Sequence, residues 1–437
     1  MHMPQYLAIT VVTALLFLGG NWPDSLWAEE TSPDRTIALY QRLLQRNPFD
    51  ARAYHRLADA YSRKAREYGD ITYFTLAEQA LRKALHIDPA YGEARRHLAF
   101  VLYSCHDFTG AAQEAEKAIE LNPSDAHAYG VLGDAYLEIG KYVQAQEAYQ
   151  RMIHLQQDLY AYGRLAGLKS LQGDTAGAVT DLKLAIAAGQ GHGRPPEHIA
   201  WTQWQLGNEH FALGNLGEAE AQYHAALTTY PNYYRALAGL AQIRTAQQRY
   251  PEAIELYQQA LAIIPLPEYA AALGDVYMKS NRAEEARKQY ALVAYIGDLN
   301  ALNKVLYNRE LAYFYADHDL QLEAALALAR KELEARQDIH AYDLLAWTLY
   351  KTGQQQEALA AMHEALKLGT QDARLFFHAG MIHYRLGHHD DAKTFLQRAL
   401  TTNPHFHIFH TDVATRLLRQ LEQGSDLAAR QEHGNEQ

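Results

Sequence analysis

The sequence predicts an all-α fold, a solenoid of antiparallel helix pairs strung along one chain. Two observations carry that expectation. The first is composition: 13 of 437 residues are proline and 48% are hydrophobic, while alanine, leucine, glutamine and glutamate are plentiful. Those side chains lose little rotamer freedom in a helix, and the apolar fraction is too large for a disordered chain. The second is repetition. One pattern of large and small residues returns at intervals of about 34 positions, a spacing typical of stacked helical units.

Residues 126–158 show the pattern in full. Tyr129, Leu132, Gly133 and Tyr136 fall on one face of a helix, and Gly140 ends it. Ala145 and Tyr149 stand four apart on a second helix. Alanine where two helices cross lets their axes approach, and the tyrosine fills the groove beside it. The same order recurs at Gln203, Leu206, Gly207, His210, Gly214, Ala219 and Tyr223, and at Leu237, Leu240, Ala241, Ala253 and Tyr257. It returns at Leu273, Gly274, Tyr277, Ala286 and Tyr290, at Tyr342, Leu345, Ala346, Gly353 and Ala358, and at Ala379, Gly380, Gly387 and Ala392. This periodicity also accounts for most of the 30 tyrosines.

These linked positions, repeated about ten times from Thr36 to Pro404, resemble the tetratricopeptide repeat family. The resemblance implies a right-handed superhelix whose first helices line a concave groove, and a protein or peptide partner held in that groove.

In chain order, residues 1–28 come first. Leu7 to Leu18 is an apolar run of about twelve residues, short of the roughly twenty that span a membrane and suited to a signal-peptide core. A cleaved signal ending near Ala28 makes the protein periplasmic or secreted. The alternative is an uncleaved inner-membrane anchor, which would be the only membrane contact. Together with the family resemblance, this start points to a bacterial protein.

Residues 34–47, with Tyr40, Leu43 and the Asn47-Pro48 pair, look like a lone second helix covering the first stacking face. It opens an N-terminal block at 34–188. The Gly/Pro-dense stretch 189–197 should break the helices and bend the stack. A C-terminal block follows at 198–404, giving an expected five pairs on each side of the break. An insertion of about seven residues between Tyr61 and Ala77, and a long join at Asp298 to Val305, depart from the period. Val413, Leu417, Leu418 and Leu421 make 405–423 an amphipathic capping helix, needed because terminal repeats otherwise expose their stacking faces. The polar tail 424–437 is expected to be disordered.

Charge and motifs bound the function. The net charge is −11, spread along the chain, which argues against a phosphate-binding surface for nucleic acid. Cys105 is the only cysteine, so cysteine-based metal centres are not expected. No phosphate loop, GxSxG elbow or HExxH motif occurs, and the repeats leave almost no chain for a catalytic domain. The reading is therefore a binding scaffold without cofactor, not an enzyme, supporting assembly of a cell-envelope or secretion complex.

The repeat register puts Arg52, His55, Asp59, Arg96 and Tyr103 on the groove side of the N-terminal block. In the C-terminal block it puts Trp201, Trp204, Asn208, Arg235, Gln242, Asp275, Arg309, Tyr313, Trp347, Tyr350, Phe377 and Tyr384 there. Aromatic residues with arginine are the usual mixture of binding hot spots. Tetratricopeptide domains that clamp a terminal carboxylate pair Lys with Asn; here Asn208 and Arg235 are the nearest match and the lysine is missing. Two rival readings remain: a groove enzyme acting on glycans, marked by converging carboxylates, and a metal-handling or sensor accessory. The latter would use His388 and His389 in the last hairpin turn with His405 and His407 at the cap, since imidazole is a good transition-metal ligand.

Overall fold

Aspartate starts many of the helices. The carboxylates of Asp125, Asp158, Asp338 and Asp372 accept hydrogen bonds from backbone N–H groups two or three residues on, satisfying donors that a helix start leaves free. Asp107 and Asp174 do the same for second helices. The computed structural model describes residues 32–434 apart from 69, 192–194 and 303–308. The segment 1–28, expected to be a signal peptide or anchor, lies outside the described residues.

A lone helix α1 (Pro33–Arg46) precedes ten hairpins. Four of these are α2 and α3 (Ala51–Tyr68, Thr72–Ile87), α4 and α5 (Gly92–Ser104, Phe108–Leu121), α6 and α7 (Ala126–Glu138, Tyr142–Leu155), and α8 and α9 (Leu159–Leu171, Thr175–Gly189). Three more are α10 and α11 (Pro196–Ala212, Leu216–Thr229), α12 and α13 (Tyr234–Ala246, Tyr250–Ile263), and α14 and α15 (Pro267–Lys279, Ala283–Leu302). The last are α16 and α17 (Arg309–Asp317, Leu322–Ala335), α18 and α19 (Ile339–Lys351, Gln355–Leu366), and α20 and α21 (Ala373–Arg385, His389–Thr402), before a closing helix α22 (His410–Gly434). No strand occurs among the described residues.

The alanine at each crossing has no exposed surface: Ala145, Ala219, Ala253, Ala286, Ala325, Ala358 and Ala392 are all at 0%. The first-helix glycine explains the recurring tyrosine. A Cβ added at Gly207 would stand 2.5 Å from the Tyr223 ring, so the ring lies flat over the bare backbone. Its hydroxyl then reaches the next residue along: Tyr149 donates to Asp134 at 2.8 Å, Tyr223 to Asn208 at 2.9 Å and Tyr290 to Asp275 at 2.8 Å.

Three expectations need correction. The break near 189–197 divides four hairpins from six, not five from five. It also does not interrupt packing, because one core joins Met152, Leu159 and Tyr160 to Trp201 and Tyr223 across it. The physical cause is that Ile199 and Trp201, on the first turns of α10, bury apolar surface against the preceding hairpin. Thirdly, the closing helix starts at His410 and runs to Gly434, where a disordered tail was expected from 424. One glycine costs a helix only about 1 kcal/mol, and no proline follows it.

The solenoid also closes onto itself. Gln337 N donates to Glu138 O at 2.7 Å. A Cβ on Gly140 would stand 2.7 Å from Gln337 O, and Gly173 lies directly against the carbonyl of Gly369. Asn403 Nδ2 donates to Phe211 O at 2.8 Å, and Pro404 covers Gly214. Three successive turns within hairpins thus meet three successive joints between hairpins lying about a superhelical round later. Charge seals the contact: Arg336 pairs with Glu138 at 2.5 Å and with Glu332 at 3.0 Å, and its guanidinium lies 4.9 Å above the Phe108 ring.

Candidate functional site

Along the stack the first helices of neighbouring hairpins touch one another, whereas the second helices scarcely do. The first helices therefore form the inner wall, at the smaller radius. Their inward side chains line the groove.

An aromatic platform on that wall comes from α10, α12 and α14. The Arg235 guanidinium lies 5.0 Å above Trp204 and 5.2 Å above Tyr234. Trp201 leans on Trp204 with centroids 6.4 Å apart, and Tyr234 leans on Tyr269 at 6.3 Å. Burial works against the charge of Arg235, but the surrounding tyrosine hydroxyls and Glu268 hold it protonated above its ordinary value. Glu268 itself is pushed up to about 8, chiefly by burial and then by repulsion from Glu310. Gln242 is exposed, and Trp204 and Asn208 are half-buried.

Other residues expected to face a ligand are engaged within the protein. Asn208 and Asp275 accept the tyrosine hydroxyls described above, and Asp275 also meets His318 Nε2 at 2.7 Å. Arg309 spans Glu332 and Asp338, the N-cap of α18, at 2.9 Å each. Arg96 makes the equivalent contact with Asp125 at 2.8 Å. Tyr313 donates to Asp343 at 2.8 Å, Tyr103 donates to Glu138 at 3.0 Å, and His55 Nδ1 meets the Tyr91 hydroxyl at 2.8 Å. Arg52 is exposed, and Asp59 is half-buried with its carboxyl raised by burial.

The largest correction concerns Trp347 and Phe377, which are 2% and 1% exposed. Their inner face is occupied by the chain itself. Residues 403–412 run across the first helices of several hairpins. Asn403 reaches Phe211, Phe406 meets Phe377 at 5.5 Å, Ile408 joins the core of α12 to α15, and Asp412 pairs with Lys279 at 2.6 Å. His410 lies 5.7 Å from Trp347, edge to face. Trp201, Arg235, Asp275 and Tyr313 are likewise buried. Tyr350 stacks on Trp347 and stays half-buried, and exposed Tyr384 stacks on His389.

The histidines expected to gather do not. His388 lies beside His383 and Asp391 in the last hairpin turn. Half-buried His407 stacks on buried His410 at 4.0 Å. No group of three potential ligands among the described residues joins His388 or His389 to His405 or His407. Sequence reasoning missed the group that does form, Asp317 with His378 and His410. Its members come from two hairpins and the closing helix, on α16, α20 and α22, far apart in sequence.

Comparison with known proteins places this arrangement. Among solved structures, PilW, a widely conserved type IV pilus biogenesis factor, is 16% identical; the alignment covers 48% of this chain and 92% of PilW with a TM-score of 0.40. The human IFIT1 dimer with PPP-AAAA is 16% identical over 77% of each chain, TM-score 0.49. YrrB, a TPR protein with an unusual peptide-binding site, is 20% identical, covering 43% of this chain and 94% of that one, TM-score 0.30. A TPR repeat-containing protein of Methanocaldococcus jannaschii is 29% identical over 115 residues, which is 25% of this chain and 20% of that relative's length. Family models described as tetratricopeptide repeat match residues 58–91, 105–170, 205–266 and 344–405.

Proposed function

Because the chain belongs to the tetratricopeptide repeat family, we propose that it is a protein-interaction scaffold that holds an extended segment of a partner against its inner wall. The observation that carries this reading is the platform in which half-buried Trp204 and Tyr234 are held by the buried Arg235 and Tyr269, with Gln242 exposed two turns further along α12. Half-buried aromatic rings fixed by a buried arginine offer rigid apolar area, the kind of anchor found at binding hot spots. Apolar anchors on an extended peptide fill such spaces while its backbone meets the polar neighbours. The reading assigns no catalytic step.

The finer part of the proposal is that the partner belongs to a cell-envelope or secretion complex of a bacterium. The apolar run Leu7 to Leu18 motivates it, either as a cleaved signal or as an inner-membrane anchor. Capture from an envelope fraction by the full chain tests the binding reading. Trp204→Ala combined with Gln242→Ala should weaken capture by about tenfold or more, the scale of one hot spot; capture unaffected by both would reject the platform. N-terminal sequencing of the mature protein tests export, and a start at Met1 would exclude a cleaved signal.

A further inference from the structure

We propose that Asp317, His378 and His410 form a site for one divalent first-row transition-metal ion. The three side chains come from the end of α16, the middle of α20 and the start of α22, and each presents a ligand atom within 4.8 Å of the others. Two imidazoles with one carboxylate suit zinc, iron(II), cobalt or nickel, whereas calcium and magnesium favour all-oxygen sets.

His378 supplies the decisive geometry. Its ring is 0% exposed. Nδ1 lies 2.8 Å from Asp343 Oδ1. Asp343 is itself 0% exposed and also accepts from the Tyr313 hydroxyl at 2.8 Å, so it stands as a fixed acceptor behind the ring. With Nδ1 turned to that carboxylate as its donor, Nε2 is the ring nitrogen left open to a ligand. That Nε2 is buried without a hydrogen-bond partner, a state that costs stability unless something occupies it. A carboxylate behind a histidine, with the other ring nitrogen free, is how proteins orient and strengthen imidazole ligands.

His410 is also buried, at 6% exposed, and its ring Nδ1 has no hydrogen-bond partner. Nε2 lies 3.8 Å from Asp317 Oδ1, too far for a hydrogen bond and a suitable gap for two ligands sharing an ion. Both ring faces are covered, by Phe377 at 4.6 Å and His407 at 4.0 Å, while Trp347 covers His378 at 4.1 Å. Stacking on the faces fixes the rings and leaves only their edges for coordination. Trp347 Nε1 donates to Asp317 Oδ1 at 2.7 Å, orienting the carboxylate. Three protein ligands leave positions for water on the ion. The rival group of His383, His388 and Asp391 has two exposed members and no such support.

The test uses the full chain after chelator treatment. Equilibrium dialysis with zinc alone, and visible absorption with cobalt alone, should show one ion per chain at micromolar affinity or tighter. Asp317→Asn and His410→Gln should each weaken binding at least a hundredfold while circular dichroism shows the helices intact. Asp343→Asn, which keeps all three ligands, should weaken it by about 10–100-fold through the loss of orientation. His388→Ala with Asp391→Ala should change nothing. Zinc should raise the melting temperature of the parent chain and not of Asp317→Asn. The proposal is overturned if the parent chain binds no zinc at saturating micromolar concentration. Binding that survives Asp317→Asn and His410→Gln but disappears with the His388 and Asp391 substitutions would overturn it equally.

Discussion

Glu268 shows what the inner wall does to a single side chain. Its carboxyl rises from 4.5 to about 8, first through burial and then through Glu310. The folded state therefore favours the protonated form. That contribution is complete below pH 4.5 and is lost as pH rises through about 8, so urea midpoints should fall across that window. Glu268→Gln should remove most of the slope, and a parent profile flat over the same range would contradict the assignment. His55 carries the opposite sign. Burial, with help from Arg56 and Arg96, lowers it to about 4, so its contribution is present above pH 6.5 and declines as pH falls towards 4. His55→Asn should flatten the acid limb. Arg336 makes a different point, because it holds two nearly inaccessible carboxylates, Glu138 and Glu332. Arg336→Ala should cost about 3–5 kcal/mol in chemical denaturation, since breaking a buried pair strands the remaining charge. Replacing Arg336 by Met together with Glu138 by Gln should cost less than the single change.

At the scale of elements, the hairpins were legible because local chemistry specifies them. Asp125 and Asp158 cap their own helices, and the tyrosine–glycine–aspartate contact of α6 and α7 lies within one hairpin. The groove residues were less legible for a physical reason. Trp347 and Phe377 occupy positions that face inward in the repeat register, but what covers them is residues 403–412, whose path no periodicity encodes. The turns hold a sharper test. Gly173 and Gly353 both have positive φ, at 79° and 83°, so alanine is strained at either. Only Gly173 lies against another part of the chain, the Gly369 carbonyl, while Gly353 has open space around it. Gly353→Ala should cost about 1 kcal/mol. Gly173→Ala should cost roughly 1–3 kcal/mol more, the range for overpacking. Equal losses in urea titrations would mean that the contact between rounds contributes nothing.

For the whole molecule, one round rests on the other through the turns at Gly140, Gly173 and Gly214. Small-angle scattering should therefore report a particle shorter than an open solenoid of ten hairpins, and Gly173→Ala should extend it if the rounds part. A solenoid whose units touch only their neighbours behaves as a one-dimensional chain: stability is a sum of unit and nearest-neighbour terms, and the ends fray while the middle holds. Contact between rounds adds a second dimension to that lattice. Each hairpin near the seam then has partners both beside it and a full circuit away, so fraying from either end must first give up bonds to the interior of the array. Fluorescence of Trp204 and Trp347, together with backbone ellipticity, should lose their native signals in a single coincident step. A staircase of transitions would describe an array whose seam is energetically silent.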